Sequence, residues 1–322
     1  MQISAYQHGI YPRSETVVAA TRDLERNRTS SEEVERRFRE DEENFVGVQR
    51  EAGLDYFSDG LLRWQDLFRP LVDHSPAMRA QKLVRWFDNN SFFRAPEIGD
   101  LHSAGGIVPS VFALNGELPE PRVATLPSPY VFSRAARGQA ADTDRDALML
   151  DLARNVLASV AGSLAGSGYR VVHLQEPWLP FFGMEEGAWE PFEDALRTLK
   201  DEIAGRATLV LHLYYGDVGP HAERLRRLPV DAVGFDFVET DLESLGRDWE
   251  IGVLAGCLDG RRSLVESVEG TVAFARRVAE ALNPPALYLS STSDLELLPL
   301  EVARRKVLRL GETIRRLKDD LP

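Results

Sequence analysis

Cysteine is almost absent from this chain of 322 residues, and basic residues are outnumbered by acidic ones. A single cysteine, Cys257, excludes an intramolecular disulfide framework and any site built only from the thiolates of one chain. The net charge of −13 argues against a broad basic face for nucleic acid or for an anionic membrane surface. No apolar run approaches the ~20 residues that span a bilayer, and Met1–Ala5 lacks the pattern of a signal peptide. These absences predict a soluble, cytoplasmic protein with neither nucleic-acid nor membrane partners.

Short apolar segments alternate with longer amphipathic segments along the chain. The short segments are rich in Val, Leu and Ile without polar alternation, as in strands buried on both faces of a parallel sheet. Eight strands are predicted: Ile3–Tyr6, Leu54–Phe57, Arg122–Leu126, Arg170–Leu174, Thr208–Leu211, Ala232–Phe235, Ile251–Leu254 and Ala286–Leu289. Helical spacing of apolar residues predicts helices over Glu32–Ala52, Asp142–Ala165, Trp189–Ala204, Pro220–Leu228, Leu264–Leu282 and Pro299–Lys318. Eight repeats predict one (β/α)8 TIM barrel domain over residues 1–322. A doubly wound sheet is the alternative, but no glycine fingerprint follows the first strand.

One segment, Leu61–Pro121, is too long for a plain strand-to-strand connection. Its apolar spacing predicts helical pieces at Leu61–Val72 and Met78–Trp86, followed by a segment bounded by Gly and Pro. Long connections of this kind after barrel strands usually carry function. We expect an excursion over the barrel mouth between strands 2 and 3, with a short hairpin as an option.

Polar side chains follow every predicted strand. They lie in His8–Gly9, Ser58–Gly60, Pro127–Tyr130, Gln175–Trp178, His212–Tyr215, Asp236–Glu239, Asp259–Arg262 and Ser290–Asp294. In (β/α)8 barrels the chemistry lies at the carboxyl ends of the strands, so this concentration of Asp, Glu and His predicts a working site there.

Seven of these pieces, in order and at similar spacing, carry a family resemblance. They are Gly9–Arg13, Ser58–Arg63, Gln175–Leu179, His212–Tyr215, Glu239–Thr240, Leu258–Arg261 and Thr292–Leu295. The set resembles the C-terminal catalytic barrel of cobalamin-independent methionine synthase, within the uroporphyrinogen decarboxylase and methionine synthase superfamily. The resemblance implies a zinc ion, held by a His, two Cys and a Glu, that binds homocysteine as a thiolate. The thiolate takes a methyl group from a folate or, in some forms, a corrinoid, and a corrinoid protein would then be a partner.

The chain departs from the family at its zinc ligands. His212 and Glu239 match two of them, but Tyr214 replaces the first Cys, and the second Cys falls at or near Ser293. Cys257 lies at neither position. Two protein ligands are too few for a stable zinc site, so zinc or another divalent metal would need oxygen ligands. Candidates for these are Tyr214, Asp217, Asp236 and Ser293.

The amino-acid pocket of the family is also altered. Ile10 and Leu61 stand where the family has a Ser and an acidic residue, and Gln175 replaces a carboxylate, although Glu176 remains. A pocket that has lost charged partners rejects a charged ligand, so homocysteine is not the expected substrate.

The residues of the predicted site fall into three groups. The catalytic candidates are Glu176, Asp259 and Tyr214; the substrate-binding candidates are Asp59, Gln175, Trp178, Asn90 and Arg261; and the metal candidates are His212 and Glu239. Each also has a structural interpretation. Glu176 can be a general acid or base or a structural acceptor, Asp59 and Asp259 can satisfy backbone N–H groups in turns, and Arg261 can lie in a solvated loop. His173, inside a strand, is expected to be structural.

Three functions remain open. The first is a methyl or alkyl transferase with a changed small-molecule acceptor. The second is a metal-free lyase or decarboxylase-like enzyme that uses Glu176, Asp59 and arginines. The third is a non-catalytic protein that keeps a ligand pocket.

Overall fold

Seven parallel strands form one curled sheet in the computed structural model, which describes residues 1–103, 107, 109–112 and 118–319. The strands are β1 (Gln2–Ala5), β4 (Arg122–Pro127), β5 (Tyr169–Glu176), β6 (Thr208–Leu213), β7 (Ala232–Asp236), β8 (Gly252–Leu258) and β9 (Ala286–Ser291). Their order across the sheet is β1-β9-β8-β7-β6-β5-β4. Seven of the eight predicted strands are therefore confirmed, and their carboxyl ends lie together at one edge.

The predicted second strand, Leu54–Phe57, is not a strand of this sheet. It makes an isolated parallel bridge between Phe57 and Arg122 of β4. The Asp55 N–H donates to the carbonyl of Ala5 in β1 at 2.9 Å. The segment thus forms backbone hydrogen bonds with both edge strands of the sheet.

The predicted helix over Met78–Trp86 is wrong, because this segment forms β2 (Met78–Arg85) of an antiparallel hairpin with β3 (Phe92–Ile98). Met78, Ala80, Val84 and Trp86 stand two or four positions apart, which suits one face of a strand, whereas the step of three from Ala80 to Leu83 suits a helix. The hairpin expected in the excursion is confirmed. Residues 104–106, 108 and 113–117 of the excursion lie outside the described residues.

Twelve helices appear in the described part of the chain. They are α1 (Glu15–Glu25), α2 (Ser31–Ala52), α3 (Arg69–Val72), α4 (Pro129–Ala135), α5 (Gln139–Thr143), α6 (Arg145–Leu152), α7 (Ala158–Gly166), α8 (Trp178–Phe182), α9 (Trp189–Ile203), α10 (Ala222–Leu225), α11 (Val268–Leu282) and α12 (Leu300–Asp319). Ser30 caps α2 through its hydroxyl, which accepts from the N–H of Glu33. The helices predicted over Leu61–Val72 and Pro220–Leu228 are wrong in extent, since only one turn of each, α3 and α10, is α-helical.

The predicted helix Asp142–Ala165 is divided into α5, α6 and α7, with a π-helical turn over Ala153–Leu157 between α6 and α7. The stretch Arg145–Gly166 is long and apolar enough to cross a membrane by length and composition alone. Because 61% of its 18-residue apolar window is buried inside the fold, the stretch fits a core segment of this structure.

The inside of the curled sheet is layered. An apolar layer at the amino-terminal side includes Tyr6, Val123, Val171, Val210, Ala232, Leu254 and Tyr288. Since side chains of a strand alternate between faces, the residues two positions further along point to the same side. Those residues include His8, Thr125, His173 and His212, so a polar layer lies above the apolar one. All four of these side chains are buried.

Two helical glycines provide a matched test of the packing of α2 against α12. A Cβ on Gly311 of α12 would lie 2.0 Å from the carbonyl oxygen of Ala52, whereas a Cβ on Gly47 of α2 would meet nothing within 4 Å. We expect Gly311→Ala to lower the free energy of unfolding by about 1–3 kcal/mol, because the two helices must separate. Gly47→Ala should raise it by about 0.5–1 kcal/mol through helix propensity. Urea denaturation measures both, and equal effects of the two substitutions would contradict this packing.

Candidate active site

Three histidines cluster inside the sheet. His8 follows β1, His173 lies in β5 and His212 lies in β6, and all three are fully buried. One nitrogen from each ring lies within 4.8 Å of the others. The rings of His8 and His173 stack with centroids 4.1 Å apart, and the ring of His212 stands edge-on to both. The backbone accommodates His212 at Gly234 of β7, where a Cβ would lie 2.8 Å from the imidazole.

The histidine nitrogens are only partly hydrogen-bonded. His8 Nε2 lies 3.3 Å from the carbonyl of Ser291, and His173 Nδ1 lies 3.0 Å from the hydroxyl of Tyr6. His173 Nε2 and both nitrogens of His212 have no partner among the described residues. Burial lowers the pKa of His8 to about 4 and holds those of His173 and His212 well below the usual value. All three rings are therefore neutral at pH 7. His8 Nδ1 lies 3.2 Å from Gln175 Nε2, whereas His173 and His212 keep nitrogens without a partner among the described residues.

Above this layer a buried carboxyl group sits at the ends of the strands. Asp294 Oδ1 accepts from the N–H of Ile10 at 3.1 Å and from Gln175 Nε2 at 2.5 Å. Gly9 adopts a φ of +69°, and a Cβ there would lie 1.6 Å from Asp294 Oδ1, so only glycine permits this contact. Burial and the neighbouring Glu296 raise the pKa of Asp294 to about 7. This carboxyl group can therefore exchange a proton near neutral pH.

A small cavity lies between the hairpin and the strand ends. Its lining includes the carboxyl groups of Asp66, Asp294 and Glu296 and the rings of Trp86 and Phe93. Burial raises the pKa of Glu296 as well. The lining is acidic and aromatic, a combination that favours neutral or cationic ligands over anionic ones.

Two adjacent tyrosines follow β6 beside this carboxyl group. The hydroxyl of Tyr214 is buried and has no partner among the described residues, and burial raises its pKa. Tyr215 has a φ of +73°, which is uncommon for a residue with a side chain. Its N–H donates to Asp236 at 3.3 Å, and its hydroxyl accepts from Asn89 Nδ2 at 3.3 Å.

The hairpin tip places one aromatic ring over the strand ends. Phe87, between β2 and β3, has ring centroids at 5.1–6.0 Å from those of four other aromatic residues. Together they form what we call the aromatic cluster: Phe87, Trp178, Phe181, Phe182 and Tyr215. Phe182 remains 59% exposed, so the cluster offers a flat apolar face to solvent.

Glu176 turns away from the histidine layer. One of its oxygens accepts from the N–H of Leu179 at 2.8 Å, and the other from the N–H of Val131 at 3.0 Å and from the Ser128 hydroxyl. These groups belong to the first turns of α4 and α8 and to the cap of α4. Burial raises the pKa of Glu176 to about 7, but both oxygens are engaged with helix starts.

Arg261 is surrounded by carboxylates. Its guanidinium lies 2.9 Å from Glu239, 3.5 Å from Asp236 and 3.8 Å from Asp259. Burial raises the pKa of Asp236 to about 6 despite the arginine. Glu239, predicted as a metal ligand with His212, is thus an ion-pair partner of Arg261. Asp259 accepts from the N–H of Arg261 at 2.9 Å. This is the hydrogen bond to a backbone N–H in a turn that a structural role of Asp259 predicts.

The other predicted binding residues lie in different settings. Asp59 is buried and accepts from the N–H of Leu61 at 3.0 Å, and burial raises its pKa to about 7. Asn90 is exposed in the hairpin turn, and its neighbour Asn89 makes the contact with Tyr215. Gln175 and Trp178 lie at the strand ends, Gln175 against Asp294 and Trp178 in the aromatic cluster.

A parallel α/β sheet with acid–base groups at the carboxyl ends of its strands is the arrangement in which (β/α)8 barrel enzymes carry their active sites. A family model described as "Cobalamin-independent synthase, N-terminal domain" matches residues 73–283, and the chain belongs to this family. The resemblance found in the sequence was to the C-terminal barrel of the same synthases, whereas the matching model is that of the N-terminal domain.

Named relatives agree on the family. A methionine synthase of Sulfolobus acidocaldarius is 24% identical over 310 residues, covering 94% of this chain and 88% of the relative. One from Saccharolobus islandicus is 21% identical over 323 residues, covering 97% and 94%. A B12-independent methionine synthase from a Shewanella species, solved with selenomethionine, superposes with a TM-score of 0.74 at 16% identity over 98% of both chains. A putative enzyme of this type from Listeria monocytogenes gives 0.71 at 16% identity over 100% of both chains.

A zinc ion held by thiolates is not matched by the residues that the sequence resemblance assigns to its ligand positions. Tyr214 and Ser293, which the resemblance assigns to the thiolate positions, offer only oxygen atoms, and the Ser293 hydroxyl lies 3.4 Å from the carbonyl of Asp294. The thiol of Cys257 contacts the carbonyl of Ser290 at 3.5 Å, and burial raises its pKa to about 12. With Glu239 bound to Arg261, His212 alone of the family ligands faces the interior histidine layer.

Sequence reasoning missed three residues of this site. His8 and Asp294 were noted only as strand-end residues, and His173 was interpreted as structural. The signal was present in the alternation of β5, where Val171, His173 and Gln175 share one face. Reading that face against the corresponding face of β6 would have placed His173 beside His212.

Proposed function

We propose that the chain is a methionine-synthase-like methyltransferase that moves a methyl group from a folate donor to a small acceptor other than homocysteine. The observation that carries the proposal is Asp294, a carboxyl group with a pKa of about 7 held at the strand ends where the family's thiolates are missing. Residues 54–57 occupy the position of the eighth strand and close the curled sheet into a single barrel domain. Its hydrogen bonds to both edge strands support this closure.

The donor side of the proposal rests on the family and on the aromatic cluster. A flat pterin ring stacks on aromatic faces, and the cluster presents Trp178, Phe181 and Phe182 beside the strand ends. The corrinoid donor and the corrinoid-protein partner kept open from the sequence are not proposed, because the family is described as cobalamin-independent.

The acceptor side rests on the acidic cavity, which has room for about one water molecule and must widen through a shift of the hairpin to admit an acceptor. An acceptor X–H must lose its proton as it takes the methyl group, and the folate nitrogen gains a proton as it releases it. Asp294, ionised above pH ~7, is placed to receive the acceptor's proton. Ile10 and Gln175, at the positions of lost polar partners, supply one backbone N–H and one amide to hold this carboxylate.

The same cavity sets the acceptor class. An amino acid such as the selenomethionine bound by the Shewanella relative carries a carboxylate, which would be buried here among Asp66, Asp294 and Glu296. Burying like charges together is costly. The proposed acceptor is therefore a thiol or an amine without a carboxylate.

The metal-free lyase alternative is less well supported. Glu176 binds helix starts through both oxygens, and Arg261 is neutralised by three carboxylates. Neither residue is free to act on a substrate in the described structure.

Release of demethylated folate in the presence of different acceptors tests the proposed function. We expect a simple thiol or amine to be turned over with a kcat/KM at least about tenfold above that of homocysteine, because a buried unpaired carboxylate costs more than 1 kcal/mol. The matched pair is 3-aminopropane-1-thiol and homocysteine, which share the thiol, the amine and the chain length between them and differ only in the carboxylate. Preferred use of homocysteine, or no turnover with any acceptor, would overturn the proposal.

A further inference from the structure

We propose that His8, His173 and His212 bind one divalent transition-metal ion inside the sheet, at a site that shares only His212 with the zinc site implied by the family resemblance. The argument begins with His212, whose imidazole is fully buried and has no partner on either nitrogen among the described residues. A buried polar group without a partner costs about 1–3 kcal/mol. A bound metal ion would give one of these nitrogens its missing partner and would so explain why the ring is buried.

The two other rings already have the outer partners of metal-ligating histidines. Such a ring commonly donates its second N–H to a carbonyl, carboxylate or other acceptor, which fixes its tautomer. His8 Nε2 is placed to donate to the carbonyl of Ser291, which puts the lone pair on Nδ1. Gln175 Nε2 lies 3.2 Å from this Nδ1, so the amide of Gln175 must turn away before the nitrogen can bind an ion. His173 Nδ1 is placed to donate to the Tyr6 hydroxyl, which leaves the lone pair on the unpartnered Nε2.

The chemistry of the donors selects the ion. Three neutral imidazoles suit Zn²⁺, Co²⁺, Ni²⁺ or Cu²⁺, and three His with one open position is a known catalytic arrangement for zinc. Imidazole nitrogens on a tetrahedral ion lie about 3.3 Å apart, whereas here they spread over as much as 4.8 Å. Binding must therefore draw the rings together and rotate one ring of the stacked pair His8 and His173.

Two further unpartnered atoms point to the same interior. The Tyr214 hydroxyl and the Oε1 atom of Gln175 are both buried without a partner among the described residues. Oxygen atoms of this kind, or a water molecule held by them, are suitable for the open position. The proposal does not depend on methyl transfer, and either can fail without the other.

Because the three rings have no solvent exposure, the ion must enter during folding. The test therefore uses untagged protein produced in medium containing Co²⁺, whose visible absorption reports tetrahedral coordination by nitrogen. We expect one cobalt per chain by mass spectrometry. His212→Asn and His173→Gln should lower the retained cobalt at least about tenfold, since even the loss of an outer partner costs 10–100-fold in affinity.

Two variants keep the test decisive if a histidine variant fails to fold. Tyr6→Phe removes only the hydroxyl that contacts His173 and should speed removal of cobalt by a chelator about 10–100-fold. His74→Gln changes an exposed histidine outside the cluster and should leave cobalt content and release unchanged. Wild-type protein without stoichiometric cobalt, or cobalt that His212→Asn and Tyr6→Phe do not affect, would overturn the proposal.

Discussion

Asp294→Asn is expected to lower kcat for methyl transfer at least about 100-fold, the usual contribution of a positioned general base. The amide is close in shape to the carboxylic acid and can still accept from the N–H of Ile10, so the strand ends should keep their structure. Folate affinity should stay within about threefold, because the donor lies against the aromatic cluster. Steady-state kinetics with the best acceptor and direct titration of the folate measure the two effects separately.

The pH profile adds a readout that a structural role would not change. With Asp294 as the base, kcat/KM of the wild type should rise with pH up to about 7 and then level off. Asp294 and Glu296 lie close together, so the rise reports the pair rather than one group. The rise of kcat/KM with pH should be absent in Asp294→Asn and should remain in Asp201→Asn, which changes an exposed residue and serves as the control. A kcat within threefold of wild type for Asp294→Asn would remove the base from the mechanism.

Asp59→Asn is expected to stabilise the protein increasingly as pH rises. Burial raises the pKa of Asp59 to about 7 from an ordinary 3.8. Between these values the unfolded chain is ionised while the folded chain still holds the proton, so wild-type stability falls as pH rises. Below pH ~4 both states are protonated and the loss is absent. The carboxylate that forms at higher pH is buried, with its hydrogen bond from the Leu61 N–H.

The expected size is about 2–3 kcal/mol: the unfolding free energy of Asp59→Asn minus that of the wild type should grow by this amount between about pH 5 and about pH 8. The buried histidines have lowered pKa values, so they make the unfolding free energy rise with pH, in the wild type and the variant alike. Their contribution therefore cancels in the difference between the two proteins. Asp201→Asn should give a flat difference over the same range. A flat difference for Asp59→Asn would mean that its carboxylate is solvated in the folded state.

The sheet could be predicted from sequence because its strands are short, apolar and separated by longer, more polar connections. β5 to β9 all fall within a few residues of their predicted bounds. The hairpin strand Met78–Arg85 was mistaken for a helix because a half-exposed strand with a register shift between Ala80 and Leu83 loses its strict alternation. Local spacing cannot resolve such a segment, and its pairing with Phe92–Ile98 decides its structure.

The site could be predicted less well, and for a different reason. The sequence places polar residues at the carboxyl ends of the strands. The direction of each side chain, which the sequence does not reveal, decides which carboxylates lie next to one another. Glu176 and Gln175 are adjacent in sequence and point to opposite faces of β5, one toward the starts of α4 and α8 and one toward Asp294. Arg261 and Glu239 meet because they follow β8 and β7, which are neighbours in the sheet. These contacts between distant segments have no local signal.

This chain has the fold of its family, and the proposed metal site of His8, His173 and His212 lies inside its sheet. Anomalous diffraction at the zinc edge, from crystals of protein produced with zinc, tests it most directly. We predict one peak bounded by His8, His173 and His212, with Glu239 still paired to Arg261. A peak between His212 and Glu239 with the arginine displaced, or no peak inside the sheet, would contradict the account.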